Sequence, residues 1–475
     1  MIFARKKNQE GIAYSMASLT KIPQSWGRYP QVEPDQVVPV FWRNELPDLA
    51  AFDKSMLPYA YGRSYGDSCL NEGGVSLDVS HLTRFISFDE EQGLLRCEAG
   101  ISLADILEVM VPRGWFLPVS PGTKFVSVGG AIANDIHGKN HHKAGTFGRY
   151  VTQFELLRST GERLLCSPTE NSELFRATIG GLGLTGVILW AEIRLKPVRT
   201  PYIAMDRIRY GSLADFMHIA ADSDQDYEYT VAWVDCLASG RQLGRGIFMR
   251  GNHENSPRYA HKPLPKKLPL AVPLDLPSFT LNSLTVRAFN EVYYRAQLGN
   301  VVHKVEPYNP FFYPLDSIYN WNRIYGKRGF FQYQCVVPFE NGYAVMKEIL
   351  ERISRAKEGS FLVVLKEFGA LPSPGMLSFP RPGLTLALDF SNHGPKTLRL
   401  FDELDTLVRQ NNGAVYPAKD AHMSAESFQA YYPQWKTFAQ YIDPHFSSSF
   451  WRRVTNANMP APTVHMATPA LTRNG

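Results

Sequence analysis

The sequence predicts a two-domain α+β protein whose second domain is a mainly antiparallel sheet with helices. Three observations predict it. Before about residue 200 the chain reads as short strands and hairpins with a few helices, without the regular strand–helix alternation of a doubly wound sheet. At "KPVRTPY" the character changes to longer strands separated by amphipathic helices. A chain of 475 residues, 44% hydrophobic and 20% charged, also holds enough apolar material for two or three cores.

The elements follow in order. In "GGVSLDVS", Val75, Leu77 and Val79 alternate with polar neighbours, the pattern of a half-buried strand. "FISFDEEQGLLRCEAG" reads as a hairpin turning near Glu91, Gln92 and Gly93. "SLADILEVMVPRG" opens with a capping box, Ser102 to Asp105, and sets Leu103, Ile106, Leu107 and Met110 along one side of a helix. "QFELLRSTGERLLCSP" is a second hairpin. "NSELFRATI" reads as a short helix capped by Asn171 or Ser172, and "VILWAEIRL" as a strand. Beyond residue 200, "YTVAWVDCL", "FFQYQCVVPF", "FLVVLKEFG" and "LTLALDF" read as amphipathic strands, with helices such as "GYAVMKEILERISRA" between them.

The helix at 171–179 and the strand at 187–195 are joined by "GGLGLTG". Its Gly181-x-Gly183-x-x-Gly186 has the spacing of a dinucleotide-binding loop. That loop needs a strand before it and a helix after it, so that a pyrophosphate meets the helix N-terminus. Here the order is reversed, and "KPVRTPYIAM" downstream offers no carboxylate for a ribose. The glycines therefore read as a turn packed against something flat, not as an NAD site.

A net charge of +5 is small for this length and argues against nucleic acid as a partner. Five scattered cysteines with no CxxC suit a reducing compartment, here the cytoplasm. The basic N-terminus has no apolar run behind it, and no stretch reaches 18 apolar residues, so neither a signal peptide nor a membrane span is expected. The tail from 456 to 475 is rich in Pro, Ala and Thr and is expected to be disordered. The stretch "SPRYAHKPLPKKLPLAVPLDLPSF", at once proline-rich, basic and apolar, reads as a long surface loop, or as a lid touching a lipid surface.

Two further glycine-bearing segments precede residue 150: "YAYGRSYGDSCLNEGG" and "SPGTKFVSVGGAIANDIHGKNHH". Backbone N–H groups converge on a phosphate only where no side chain intervenes, so Gly62, Gly66, Gly129 and Gly130 suggest a diphosphate held between loops. His137, His141 and His142 raise the question of a metal. Gly138 weakens a helical ligand pair, no HExxH glutamate is near, and none is predicted.

"YGRSYGD", "PGTKFVSVGGAIANDIHG" and "ELFRATIGGLGLTGVI" are similar, in that order, to the cofactor segments of the vanillyl-alcohol-oxidase / p-cresol-methylhydroxylase superfamily. With "GGAIANDIHGKNHHKAGTFG", "FFQYQ" and "YPAKD", the chain from about residue 20 to 455 most resembles the decaprenylphosphoryl-ribose oxidase branch of that superfamily. The resemblance implies a flavoprotein with a PCMH-type FAD-binding domain over 12–200, a substrate-binding domain over 201–413 and a return segment over 414–455 that completes the first. It implies FAD contacts from Tyr61, Gly62, Arg63, Ser64, Tyr65, Gly66 and Asp67 of the first loop. From the second segment it implies Gly122, Ser127, Val128, Gly129, Gly130, Asn134, Asp135, Ile136 and His137, and from the rest Gly183, Gly186, Ile188 and Tyr416. Arg63 stands where many members carry the histidine that bonds to flavin, so the FAD is expected to be non-covalent.

The same resemblance implies Lys419, His137 and Lys366 as catalytic groups, and Tyr65, Lys139, Gln334, Phe368, Thr385 and Ala387 as substrate contacts. Strand alternation independently puts Lys366 on one face with Leu362 and Val364, and a lysine on an apolar face needs a partner or a task. It also separates Leu384, Leu386 and Leu388 from Thr385, Ala387 and Asp389. Mycobacterial members carry asparagine and cysteine where this chain has Thr385 and Ala387, so this chain departs from their pattern at the implied pocket wall. The implied reaction oxidises a secondary sugar hydroxyl to a ketone, on the 2-hydroxyl of a polyprenylphosphoryl ribose. A separate NAD(P)H-dependent short-chain reductase would complete epimerisation to the arabinose form, and the lipid-linked substrate would draw the enzyme peripherally to the inner face of a membrane. The alternatives are a soluble FAD-dependent alditol or aldonolactone oxidase, told apart by activity on free sugars, and a cofactor-free binding protein, told apart by lack of colour.

Overall fold

A computed structural model describes residues 22–260, 262–265, 270–277 and 280–456. Residues 457–475 of the expected disordered tail and the first residues of the expected first domain, 12–21, lie outside the described residues.

Strands Gln36–Pro39, Val75–Asp78 and Met56–Tyr59 form a parallel sheet with the Val75 strand in the middle. That strand is buried on both sides, Ser76 as completely as Leu77, and so is not half-buried. A central parallel strand is covered on both faces, and its Ser76 faces the interior with the rest. The next sheet is antiparallel, in the order Phe85–Asp89, Leu94–Glu98, Val187–Arg194, Val151–Leu157, Arg163–Cys166, and contains both expected hairpins. Ser102 and Asp105 close the capping box of helix Leu103–Met110, whose four expected apolar residues are buried. Helix Ser172–Thr178 starts differently from expectation. Asn171 occupies the cap position with φ 48°, and its side chain donates to the Leu165 carbonyl (2.8 Å) and not to the helix. The glycine turn follows. At Gly186, φ is +134° and a Cβ would lie 2.4 Å from the Leu157 carbonyl oxygen, so only glycine fits where the chain enters the Val187 strand.

An eight-stranded antiparallel sheet comes next: Val301–Pro307, Tyr202–Tyr210, Gly246–His253, Tyr229–Val234, Val363–Phe368, Gly383–Ser391, Phe330–Val337 and Ala414–Val415. Helices Leu213–Ser223, Phe339–Ala356 and Pro395–Gln410 share a core with one face, where Leu384, Leu386 and Leu388 pack with Ile349 and Leu404. Each such buried leucine contributes roughly 2 kcal/mol. The expected amphipathic strand Tyr229–Val234 is buried at every residue, because the face away from the helices is also covered. The last strand of the sheet, Ala414–Val415, leads straight into "YPAKD", and helix Ser449–Thr455 ends the described chain. Among the described residues no helix is long and apolar enough to cross a membrane.

Candidate active site

Register decides what the open face of the large sheet presents. Lys366 lies opposite Thr385, Val364 opposite Ala387, and Gln334 opposite Ala387 on the other side. Residues directly opposite in a sheet share a face. Lys366, Val364, Leu362, Thr385, Ala387, Gln334 and Gln332 therefore point one way, and all of them line a cavity of about 630 Å³. The opposing wall is built from the glycine-bearing loops. Tyr61, Gly62, Arg63, Ser64 and Tyr65 line it from the first, and Gly122, Ser127, Gly129, Gly130, Asn134, Ile136, His137 and Lys139 from the second. Gly183, Gly186, Ile188, Tyr416 and Lys419 complete it.

Five of the expected residues lie behind the wall. Phe368 is fully buried and backs His137, ring centroids 4.8 Å apart. Val128 belongs to the core under the second loop. Asp135 accepts the Gly148 N–H (2.9 Å) and the Ser373 and Ser378 hydroxyls, tying that loop to residues 373–378. Gly66 abuts the Asp420 carbonyl, which a Cβ would meet at 1.7 Å, and Asp67 pairs with Arg453 at 2.7 Å. These residues hold the wall's shape without facing the cavity. The wall also includes residues no motif announced: Trp26, whose ring the Arg63 guanidinium covers at 4.1 Å, and Leu315, Ile318, Tyr319 and Arg323 at one end. Gln332 was legible as the neighbour of Gln334 on the same strand face. The 315–323 segment is remote in sequence and carries no such signal.

One end of the cavity is a cluster of basic groups. Lys366 Nζ lies 2.9 Å from His137 Nδ1 and donates to the Gly138 carbonyl (2.8 Å). Gln334 Nε2 lies 3.1 Å from His137 Nε2 and 3.3 Å from Thr385 Oγ1. An ammonium at Lys366 must donate to Nδ1, which leaves the ring proton on Nε2 and turns the Gln334 amide oxygen toward it. Loss of a proton from Lys366 permits the reverse tautomer, in which Nδ1–H donates to the free amine and Nε2 accepts from the Gln334 amide N–H. Burial, with Lys366, His141 and Lys419 close by, holds His137 well below the usual histidine range, so the ring is neutral. Burial and the neighbouring lysines likewise hold Lys366 well below the ordinary amine range, and burial pushes Lys139 down to about 8.

Lys419 sits with its Nζ 3.9 Å from the Tyr65 ring centroid. The Tyr65 N–H donates to the Ala418 carbonyl (2.9 Å), which fixes one loop against the other. Burial pushes Lys419 down to about 8, and the nearby Asp389 carboxylate pulls the other way. Asp389 itself is buried, accepts from Gln332 (2.5 Å), and has its carboxyl raised by burial. His141 and His142 serve the backbone: His141 Nδ1 accepts from Gly369 N–H, and His142 Nε2 meets the Tyr227 carbonyl.

The walls fit a flavin dinucleotide. Gly122 lines the cavity, and no atom beyond its chain neighbours lies within 4 Å of where a Cβ on it would stand, so a side chain there would meet open space. Gly183 has only ordinary contacts, the nearest being Pro58 at 3.5 Å. Among the lining side chains Arg28, Arg63, Lys139, Arg323, Lys366 and Lys419 face a single carboxylate, Asp316, a balance that suits phosphates.

Comparison with known proteins agrees with this geometry. Residues 46–167 match the FAD binding domain family. The chain is 39% identical over 417 residues to the decaprenylphosphoryl-beta-D-ribose oxidase of Mycolicibacterium smegmatis, covering 84% of this chain and 89% of that protein. It is 34% identical over 372 residues to an uncharacterised protein of Streptomyces coelicolor, covering 74% of this chain and all of that one. A rat Delta(24)-sterol reductase matches only 119 residues, at 32% identity, 25% of this chain and 23% of that enzyme. FAD is therefore the cofactor, and Gly183 and Gly186 of "GGLGLTG", beyond the matched residues, line the same cavity as the glycine loops that precede them. The shared length and the shared FAD domain together show that this chain is an FAD-dependent oxidoreductase and belongs to the decaprenylphosphoryl-β-D-ribose oxidase family.

Proposed function

We propose that the protein oxidises the 2-hydroxyl of a polyprenylphosphoryl-β-D-ribose to a ketone. The observation that carries this reading is the cluster of Lys139, Lys366 and Lys419 in a cavity whose described lining holds one carboxylate. With Lys366 engaged by His137 and Gly138 and Lys419 free to take a proton, Lys139 is left to meet a phosphate, a group that a neutral alditol or lactone lacks.

Lys419 takes the proton of the reacting hydroxyl, since its lowered pKa makes the free amine accessible near neutral pH. Lys366 and Gln334 hold the neutral His137 ring between them through its two nitrogens, and the part of the Gln334 amide that His137 leaves free holds a sugar hydroxyl. Lys139 faces the substrate phosphate. Thr385 and Ala387 shape the floor beneath the sugar. FAD, when bound, supplies the acceptor for the carbinol hydrogen with its electron pair, so that the alcohol leaves as a ketone and one proton. A separate NAD(P)H-dependent short-chain reductase would then reduce that ketone to the arabinose epimer. The enzyme would work as a peripheral protein on the cytoplasmic face of a membrane.

The test is anaerobic mixing of the holoenzyme with a short-chain polyprenylphosphoryl ribose while the visible flavin absorbance is followed. Bleaching is expected. A spectrum that stays oxidised with the phospholipid sugar yet bleaches with a free alditol or aldonolactone would move the function to the soluble oxidases.

A further inference from the structure

Helix Ser283–Arg295 breaks the usual rule for a surface helix. Residues at i, i+3 and i+4 share a helix face, and such a face is apolar when it packs on a core. Here the inward positions are Val286 and Asn290, and the outward ones include Leu284, Phe289 and Val292, which are 75%, 47% and 69% exposed. The preceding segment continues the pattern: Leu270 and Leu274 are 66% and 73% exposed. Among the described residues, nine of the fifteen exposed large apolar side chains fall between 270 and 319.

This apolar surface runs to the cavity. Leu270 and Ala271 pair in parallel with Ile318 and Tyr319, both of which line the cavity end. The Leu276 N–H donates to the Arg323 carbonyl, and the Arg323 guanidinium donates to the Pro273 carbonyl (2.6 Å). The helix rests on the same base, since Phe289 packs edge-on to Phe361, which stacks on Tyr325. The charge is one-sided as well. From 257 to 299 the sequence holds six Lys and Arg and two carboxylates, Asp275 and Glu291. Both carboxylates are taken, Asp275 by Arg28 and Glu291 by Arg245 and Arg295.

We propose that the surface formed by Leu270, Leu274 and the outward face of helix Ser283–Arg295 docks on a lipid bilayer carrying anionic headgroups, with the mouth of the cavity held against it. The inference rests on the reading of the substrate as lipid-linked, and it supplies what that reading lacks: a route for the polyprenyl chain that never crosses water. Exposed leucines beside basic residues are the chemistry of an interfacial helix. A second copy of the chain fits less well, because its own basic stretch would face this one.

The experiment separates this proposal from the function it rests on. Holoenzyme is sedimented with vesicles of phosphatidylcholine and phosphatidylglycerol, with no substrate present. Wild type is expected to sediment with them, less so as salt rises. The double variant Leu284→Asp/Val292→Asp is expected to lose about tenfold or more in partitioning. That variant is also expected to keep its flavin colour and its rate of bleaching by a short-chain, water-soluble polyprenylphosphoryl ribose. In a second measurement the fluorescence of Leu274→Trp shifts to the blue on addition of vesicles. Partitioning unchanged in the double variant, or no spectral shift at position 274, overturns the proposal. So does a concentration-dependent dimer of wild type that the double variant abolishes, which would make a second copy the occupant. Vesicle binding without bleaching by the sugar lipid would leave the docking surface standing and remove the proposed substrate.

Discussion

Lys419 is a base only when it has lost its proton, and its surroundings set when that happens. Burial lowers it to about 8, while Asp389 opposes the shift. The proposed proton transfer needs the free amine, so the rate of flavin bleaching should rise with pH, about tenfold per unit below 8, and level off above it. Lys419→Arg, which stays charged, should remove that rise and slow bleaching by about 10²-fold or more, and Lys366→Ala should slow bleaching more than it weakens FAD binding. Stopped-flow traces across pH, beside FAD titrations, measure both. FAD loss equal to the rate loss in both variants would make the lysines cofactor contacts only. Two glycines give a second contrast. Gly66 has no room for a methyl, with the Asp420 carbonyl 1.7 Å from its Cβ position, whereas Gly122 lines the cavity with open space in front of it. Gly66→Ala should lower the unfolding midpoint, and Gly122→Ala should keep it while weakening FAD retention. The sequence marks both as glycines of cofactor segments. It does not say which is pressed by protein and which faces the cavity, because that depends on a loop 350 residues away.

At the scale of elements, the last helix holds the two halves of the site together. Arg453, on helix Ser449–Thr455, binds Asp67 of the first glycine loop (2.9 and 2.7 Å) and Asp420 of the Lys419 loop (2.8 Å). Both carboxylates are buried; burial pushes the arginine's pKa down, but the two carboxylates together outweigh it and raise the arginine above its ordinary range. Removing one partner of a buried ion pair leaves charge without compensation. Arg453→Met should therefore cost about 3 kcal/mol or more of stability, with Arg453→Lys recovering part. Urea unfolding of the holoenzyme reads the loss, and a change below about 1 kcal/mol would mean that water satisfies the two carboxylates instead. Hairpins, capping boxes and strand alternation were legible because each depends on residues a few positions apart. The clamp was not, since nothing local marks Arg453 as the partner of a residue near position 67. The same limit explains Phe368. Alternation puts it on a strand with Lys366, yet the fold seats it behind His137.

For the whole molecule, the cavity is walled by two separate parts of the chain, so an FAD that fills it would touch both and should tie them together. Arg63 lies over Trp26 and donates to the Phe125 carbonyl (3.1 Å), and a guanidinium forms no bond to a flavin ring. The flavin should accordingly pass into the supernatant on acid precipitation, and added FAD should raise the thermal midpoint of the stripped protein in proportion to the logarithm of its concentration. A yellow pellet would show covalent attachment. By itself the sequence determined the class of each segment, the FAD domain and the chemical character of Lys366, Gln334 and Lys419, since local periodicity and short motifs need only neighbours along the chain. Only the tertiary structure decided which of these face one cavity. It also joined Lys366 to His137 and brought Lys419 over Tyr65. Those relations link residues hundreds of positions apart, and only the packing of the eight-stranded sheet against the glycine loops fixes them.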